Sequence, residues 1–260
     1  MLEVKALGYR SILHDLTFSI TSGELVAILG PNGAGKTTLF RCLARLIKPD
    51  QGKILLQGRP LEAYSPKRLY QILTLAPQFS QIGFHYTALT VALMGRAPYL
   101  SPFSRPRKHD YEKAQEALAL LGLKDLAHRP FHTLSGGQRR LVLMARALAQ
   151  EAELLLLDEP TAHLDLKHQI LVLSKIRELS KQKGLTILVS LHDPNLALAY
   201  ADRVLCLKGG KLIGELTDQD QEGIRQILED LYDISFSVFE TAEGLVVFPY
   251  QGRPKNKVLA

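Results

Sequence analysis

Residues 30–37 read Gly-Pro-Asn-Gly-Ala-Gly-Lys-Thr, the spacing G-x-x-x-x-G-K-[ST], whose chemistry is the holding of polyphosphate. Gly30, Gly33 and Gly35, with Pro31, Asn32 and Ala34 between them, let backbone N–H groups turn inward around phosphate oxygens. Lys36 adds a mobile cation and the Thr37 hydroxyl a ligand for Mg²⁺; Thr38 follows them into a helix whose positive end faces the same phosphates. A second pair, Asp158 and Glu159, ends the apolar run Leu154–Leu157. Asp158 is placed to hold Mg²⁺ directly or through water, and Glu159 to orient or deprotonate an attacking water. A third group, Ser135, Gly136, Gly137 and Gln138, precedes a helical apolar series through Leu141, Val142, Met144, Ala145, Leu148 and Ala149. Ser135 is there either an ordinary helix cap or, with the two unhindered glycine N–H groups, part of a second anion-binding terminus; spacing alone favours the cap.

Groups of this kind act only when rigid elements aim them at one point. Residues 24–29 are a compact apolar run that stops at Gly30, and beyond Lys36 the positions Leu39, Phe40, Leu43, Leu46 and Ile47 fall at helical spacing: strand, glycine-rich loop, helix. Comparable runs at 71–76, 154–157, 186–191 and 204–207, with helical patterns between several of them, predict a parallel sheet covered by helices. Residues 2–7 and 15–20 alternate as short strands with 8–11 in the connection, which predicts an N-terminal antiparallel β subdomain. From residue 78 to 137 the pattern turns helical, as at 110–121, punctuated by Pro98, Pro102, Pro106 and Pro130. We read an inserted helical subdomain of about residues 79–150 within an α/β domain of residues 1–214. A helical stretch near 222–231 and strands at 234–239 and 244–248 then form a short C-terminal extension over 215–260.

The 260 residues are 46% hydrophobic and 22% charged, which excludes disorder as the main state. No apolar stretch approaches the ~18 residues of a membrane-spanning helix, and the N-terminus lacks a secretory pattern, so a cytoplasmic location is expected. A net charge of +6 suits an anionic partner or simple solubility. No basic stripe interleaved with stacking aromatics accompanies it, so no nucleic-acid partner is expected. Cys42 and Cys206 fit no metal or redox spacing and are expected to be buried thiols. His128 and His132 have a zinc-like spacing, but Pro130 between them argues against one regular helix.

The combined motifs resemble the nucleotide-binding subunits of ABC transporters. GPNGAGKT, LSGGQ and LLLLDEP stand in that family's order, joined by Gln78 (Q-loop), Asp165 in TAHLD (D-loop) and His192 in SLHD (switch histidine). The resemblance implies an ABC-type P-loop ATPase fold, with ATP as substrate and Mg²⁺ as cofactor. It implies that a second copy stacks head to tail, so that ATP on Lys36 and Thr37 of one chain is covered by Ser135 and Gly137 of the other. On the same ground Glu159 would be the general base and His192 would contact the γ-phosphate. Gln78 would sense Mg²⁺ and the attacking water, Asp165 would act across the dimer, and Tyr9 looks like the aromatic that stacks on adenine. Residues 87–106, with TAHLDL and HDPNLALAYADR, are similar to the ATPases of binding-protein-dependent importers for iron-siderophore, haem, cobalamin and, in a related branch, molybdate or tungstate. Integral-membrane permease subunits and, indirectly, a substrate-binding protein are the partners this implies, with the chain peripheral on the inner face of the cell membrane. Residues 79–89, including Phe84, His85 and Tyr86, would line the groove for a permease helix, and His163 occupies a D-loop place where that branch often has histidine. A soluble ABC ATPase of iron–sulfur cluster assembly is the alternative.

Overall fold

The computed structural model describes residues 1–76, 86–101, 104–162, 164–217, 220–242 and 244–250. Its strands and helices, in chain order, are β1 (Leu2–Tyr9), β2 (Leu13–Ile20), β3 (Leu25–Leu29), α1 (Lys36–Leu43), β4 (Gln51–Leu56), β5 (Arg59–Pro60), α2 (Pro66–Ile72), β6 (Leu73–Ala76), α3 (Ala88–Leu93), α4 (Lys108–Leu120) and α5 (Gly136–Ala149). There follow β7 (Leu154–Leu157), α6 (Leu166–Lys183), β8 (Thr186–Leu191), α7 (Pro194–Tyr200), β9 (Arg203–Lys208), β10 (Lys211–Glu215), α8 (Gln221–Tyr232), β11 (Ser235–Thr241) and β12 (Gly244–Tyr250).

The central sheet runs β10-β9-β3-β8-β7-β6 and is parallel except for the edge strand β10. Every residue of β3, β7 and β8 is buried, which is why these strands read as continuous apolar runs rather than as alternation. The sheet divides the core in two. Leu25, Ala27 and Leu29 of β3 face a layer built with α3 to α8, while Val26 and Ile28 face α1, α2 and the antiparallel sheet β2-β1-β4-β5. This is the expected α/β architecture with a parallel core and an antiparallel β subdomain.

Helices α3, α4 and α5 pack on one another through Ala88, Val91, Ala92, Ala114, Leu118, Leu141 and Ala145. Buried Arg96 ties them together. Its guanidinium bonds Asp110 at 3.1 Å and both the Ala149 carbonyl and Glu151 at 2.8 Å, and lies over the Tyr99 ring at 4.1 Å. Among the described residues no helix is long and apolar enough to cross a membrane.

Three local readings are corrected. Gly8 and Tyr9 belong to β1 and not to the turn, because irregular register near Leu7 and a positive φ of 50° at Ala6 interrupt the alternation the sequence reading relied on. Gln71 and Ile72 end α2, which Ser65 caps and Pro66 starts; the apolar run therefore serves first a helix and then β6. Helix α1 stops at Leu43, since Arg45 turns left-handed at φ 55° and leaves Leu46 exposed. In the C-terminal segment Ile224, Leu228, Leu231, Phe236 and Val247 are buried in the same layer as the central strands.

Candidate active site

The carboxyl ends of β3, β8 and β7 lie side by side, with Leu29 opposite Leu191 and Leu157 opposite Val189. The next residues along these strands are Gly30, His192 and Asp158, so strand pairing alone brings Gly30 beside two groups more than a hundred residues further along the chain. Ligands of open α/β sheets bind along this edge.

At the end of β3 the chain turns against β9. A Cβ on Gly30 would sit 2.2 Å from the Leu207 carbonyl oxygen, so only glycine fits there. Asn32, Gly33, Ala34, Gly35, Lys36, Thr37 and Thr38 then line a cleft of about 330 Å³ with Ile12 and Glu159. The Lys36 side chain is buried and donates to the Gly30 carbonyl at 2.6 Å and the Pro31 carbonyl at 3.1 Å. Burial pushes its ammonium below the usual lysine range, against the opposing pull of Glu159 and Asp158.

His192 connects the cation to the acid. Its Nε2 is 2.6 Å from Glu159 Oε1, and its Nδ1 is 3.4 Å from Lys36 Nζ. An ionised carboxylate only accepts and an ammonium only donates, so the tautomer with hydrogen on Nε2 satisfies both neighbours. Glu159 itself has a backbone φ of 48°, a strained left-handed conformation for a residue with a side chain. The peptide is held on both sides: the Ser190 hydroxyl accepts its N–H at 2.7 Å, and Arg140 donates to its carbonyl while also donating to the Pro160 carbonyl at 3.0 Å. The same Ser190 hydroxyl donates to Asp158 Oδ1 at 2.8 Å. One buried serine thus orients both members of the acidic pair.

Ser135 caps α5. Its side chain accepts from the Gln138 N–H at 3.2 Å, and the Gln138 side chain accepts from the Ser135 N–H at 3.1 Å. Gly136 is open, whereas a Cβ on Gly137 would meet His168 Cδ2 at 2.6 Å. His168 is in turn bonded to Asp165 at 2.7 Å, and Asp165 caps α6; its carboxyl is held below the usual range chiefly by the His168 backbone N–H. Tyr9 is half-buried with the Arg10 guanidinium 5.2 Å over its ring. Ser135, Gly136, Gly137, Gln138 and Asp165 are not among the residues lining the Lys36 cleft. Gln78, Phe84, His85 and His163 lie outside the described residues.

Sequence reasoning missed Ser190 and Arg140. A signal existed for the first, a hydroxyl inside the otherwise apolar end of β8; Arg140 has none, being one basic residue beside another on a helix.

A family model described as ABC transporter matches residues 13–162. The chain belongs to the ABC transporter family. It is the ATP-binding, ATP-hydrolysing cassette of that family. It is 40% identical over 211 residues to the molybdate import ATP-binding protein MolC of Haemophilus influenzae, covering 79% of this chain and 78% of that one. It is 39% identical over 215 residues to the ferric enterobactin transport ATP-binding protein FepC of Escherichia coli, covering 82% and 79%. Among solved structures it matches a transporter assigned to the metal-chelate ABC type, in an inward-facing conformation. The TM-score is 0.83 at 33% identity, over 97% of this chain and 98% of that one.

Proposed function

We propose that this ABC cassette energises a binding-protein-dependent importer of a metal chelate, of the iron-siderophore, haem or cobalamin kind, on the cytoplasmic face of the cell membrane. The observation that carries the chemistry is the contact chain Lys36–His192–Glu159 along the sheet edge. The cargo class rests on the likeness to FepC and to the metal-chelate transporter. A molybdate or tungstate cargo is the second reading, favoured by the likeness to MolC.

In this reading residues 30–38 cradle the phosphates of ATP by their backbone N–H groups, with Lys36 as the cation. Glu159 takes a proton from the water that attacks the γ-phosphate; the new P–O bond forms as the bond to the β-phosphate oxygen breaks, and ADP leaves with that electron pair. His192 keeps the Glu159 carboxylate aimed and meets the γ-phosphate. Asp158 and Thr37 supply hard oxygen donors of the kind Mg²⁺ takes, and Ser190 occupies only one oxygen of Asp158, so the residues fit the ion. Bound there, Mg²⁺ would neutralise phosphate charge.

Ser135, Gly136, Gly137, Gln138 and Asp165 serve the opposing copy in a head-to-tail pair, with Tyr9 on the adenine. The cap on Ser135 and this role are compatible, because Gly136 stays open. Leu166 and Ile170, one turn apart beside Asp165, are exposed apolar surface on that side. Tagged Glu159→Gln chain, recovered from detergent-solubilised native membranes, should carry a polytopic permease with it. Recovery of soluble scaffold proteins instead would move the chain to cluster assembly. Ser135→Arg should stop hydrolysis and leave ATP binding intact; undiminished hydrolysis would refute the composite site.

A further inference from the structure

The loop carrying His192 is gripped from behind by the C-terminal segment. The Tyr232 hydroxyl, at the last residue of α8, donates to the His192 carbonyl at 2.9 Å. Three residues past His192, Asn195 makes a reciprocal pair with β12: its side-chain amide donates to the Val247 carbonyl at 3.0 Å, and its side-chain oxygen accepts the Val247 N–H at 2.8 Å. These contacts span 40 and 52 residues of chain and share no partner.

The grip is itself anchored. Leu228, Leu231, Phe236 and Val247 are buried against the central sheet. The Tyr232 and Phe236 rings lie 5.9 Å apart, and Lys208 of β9 bonds Asp233, the residue just past the end of α8, at 2.7 Å. Burial raises the Tyr232 phenol above its ordinary range, so it stays a donor.

From this geometry we infer that the C-terminal segment braces the switch histidine, with Tyr232 as a positioning residue for hydrolysis and Asn195–Val247 as the second clamp. The inference rests on the role proposed for His192. Tyr232 touches no reacting group: it fixes the His192 backbone, and the imidazole then meets Glu159 and Lys36 at the distances observed. A sub-ångström looseness in a positioned group costs rate far more than it costs binding.

The test is a double-mutant cycle on the full chain with Mg²⁺ and ATP, using Tyr232→Phe, which keeps the packed ring. We expect kcat to fall roughly three- to tenfold, with KM and ATP affinity within about twofold. In a His192→Ala background the same change should have no further effect on the residual rate. A loss of equal size in both backgrounds, or none in either, overturns the inference. If His192→Ala alone leaves turnover unchanged, the role proposed for His192 is what fails, and amide exchange then decides the brace. Tyr232→Phe should speed exchange across residues 191–196 and leave residues 30–38 unchanged; unchanged exchange at 191–196 overturns it. Asn195→Ala should speed exchange over the same residues.

Discussion

Ser190 offers the sharpest test of how the acidic pair is held. Replacing it by alanine deletes a hydroxyl that accepts from Glu159 N at 2.7 Å and donates to Asp158 Oδ1 at 2.8 Å. Ser190 is 0% and Asp158 3% exposed, so solvent does not reach the serine to replace it. The space left is one oxygen atom, well below the ~30 Å³ a water occupies in liquid. Each buried group left without a partner costs about 1–3 kcal/mol, with a charged one toward the upper end, which makes the sum about 3 kcal/mol. At ~2–4 °C per kcal/mol for a chain of this size, Tm should drop by about 6–12 °C. Urea unfolding of the wild type, Ser190→Ala and Ser174→Ala measures it, the last removing an exposed hydroxyl and expected within about 0.5 kcal/mol. Freed from Ser190, Asp158 should also need more Mg²⁺ for half-maximal turnover. A Ser190→Ala midpoint matching that of Ser174→Ala would falsify the bridging role.

Glu159→Gln should keep ATP affinity and lose about 10²- to 10⁴-fold in hydrolysis, measured by phosphate release; near-normal turnover would remove its role as base. Asp110, held below the usual carboxylate range chiefly by the Arg107 backbone N–H and then by Arg96, contributes stability above its unfolded pKa that is lost as pH falls through the lowered folded value. Asp110→Ala should therefore cost about 1–3 kcal/mol at neutral pH, since buried Arg96 loses one partner but keeps Glu151 and the Ala149 carbonyl, and the deficit should shrink below about pH 4. A deficit independent of pH would exclude the pair as its source. Burial pushes the Cys42 thiol up to about 11 and the Cys206 thiol up to about 12, so a thiol reagent at pH 8 should label neither until the chain unfolds.

The sheet and its phosphate loop were legible because burial on both faces writes a strand as an unbroken apolar run, and because the glycine-rich spacing has few other uses. Asp158 and His192 were placed by motif, and the approach of His192 to Lys36 needed only strand order. The rest was illegible for a common reason. Ser190 to Asp158, Arg140 to Pro160, and Tyr232 to His192 join residues 32, 20 and 40 apart with no periodicity between them. At Gly8 and Tyr9 the pattern itself misled, since the bulge shifts which side chains face inward. Near residues 222–231 the sequence shows a helix but not its engagement with the main core, although Ile224, Leu228 and Leu231 recur at helical spacing.

The left-handed backbone at Glu159 sets stability and turnover against each other at a single position. Glycine adopts that conformation without penalty, so Glu159→Gly would relieve about 1 kcal/mol of local strain while deleting the acid. Selection of this protein for heat resistance alone would therefore drift toward an inert cassette, and any programme to stabilise it has to spare this residue and put its gains on elements remote from the sheet edge.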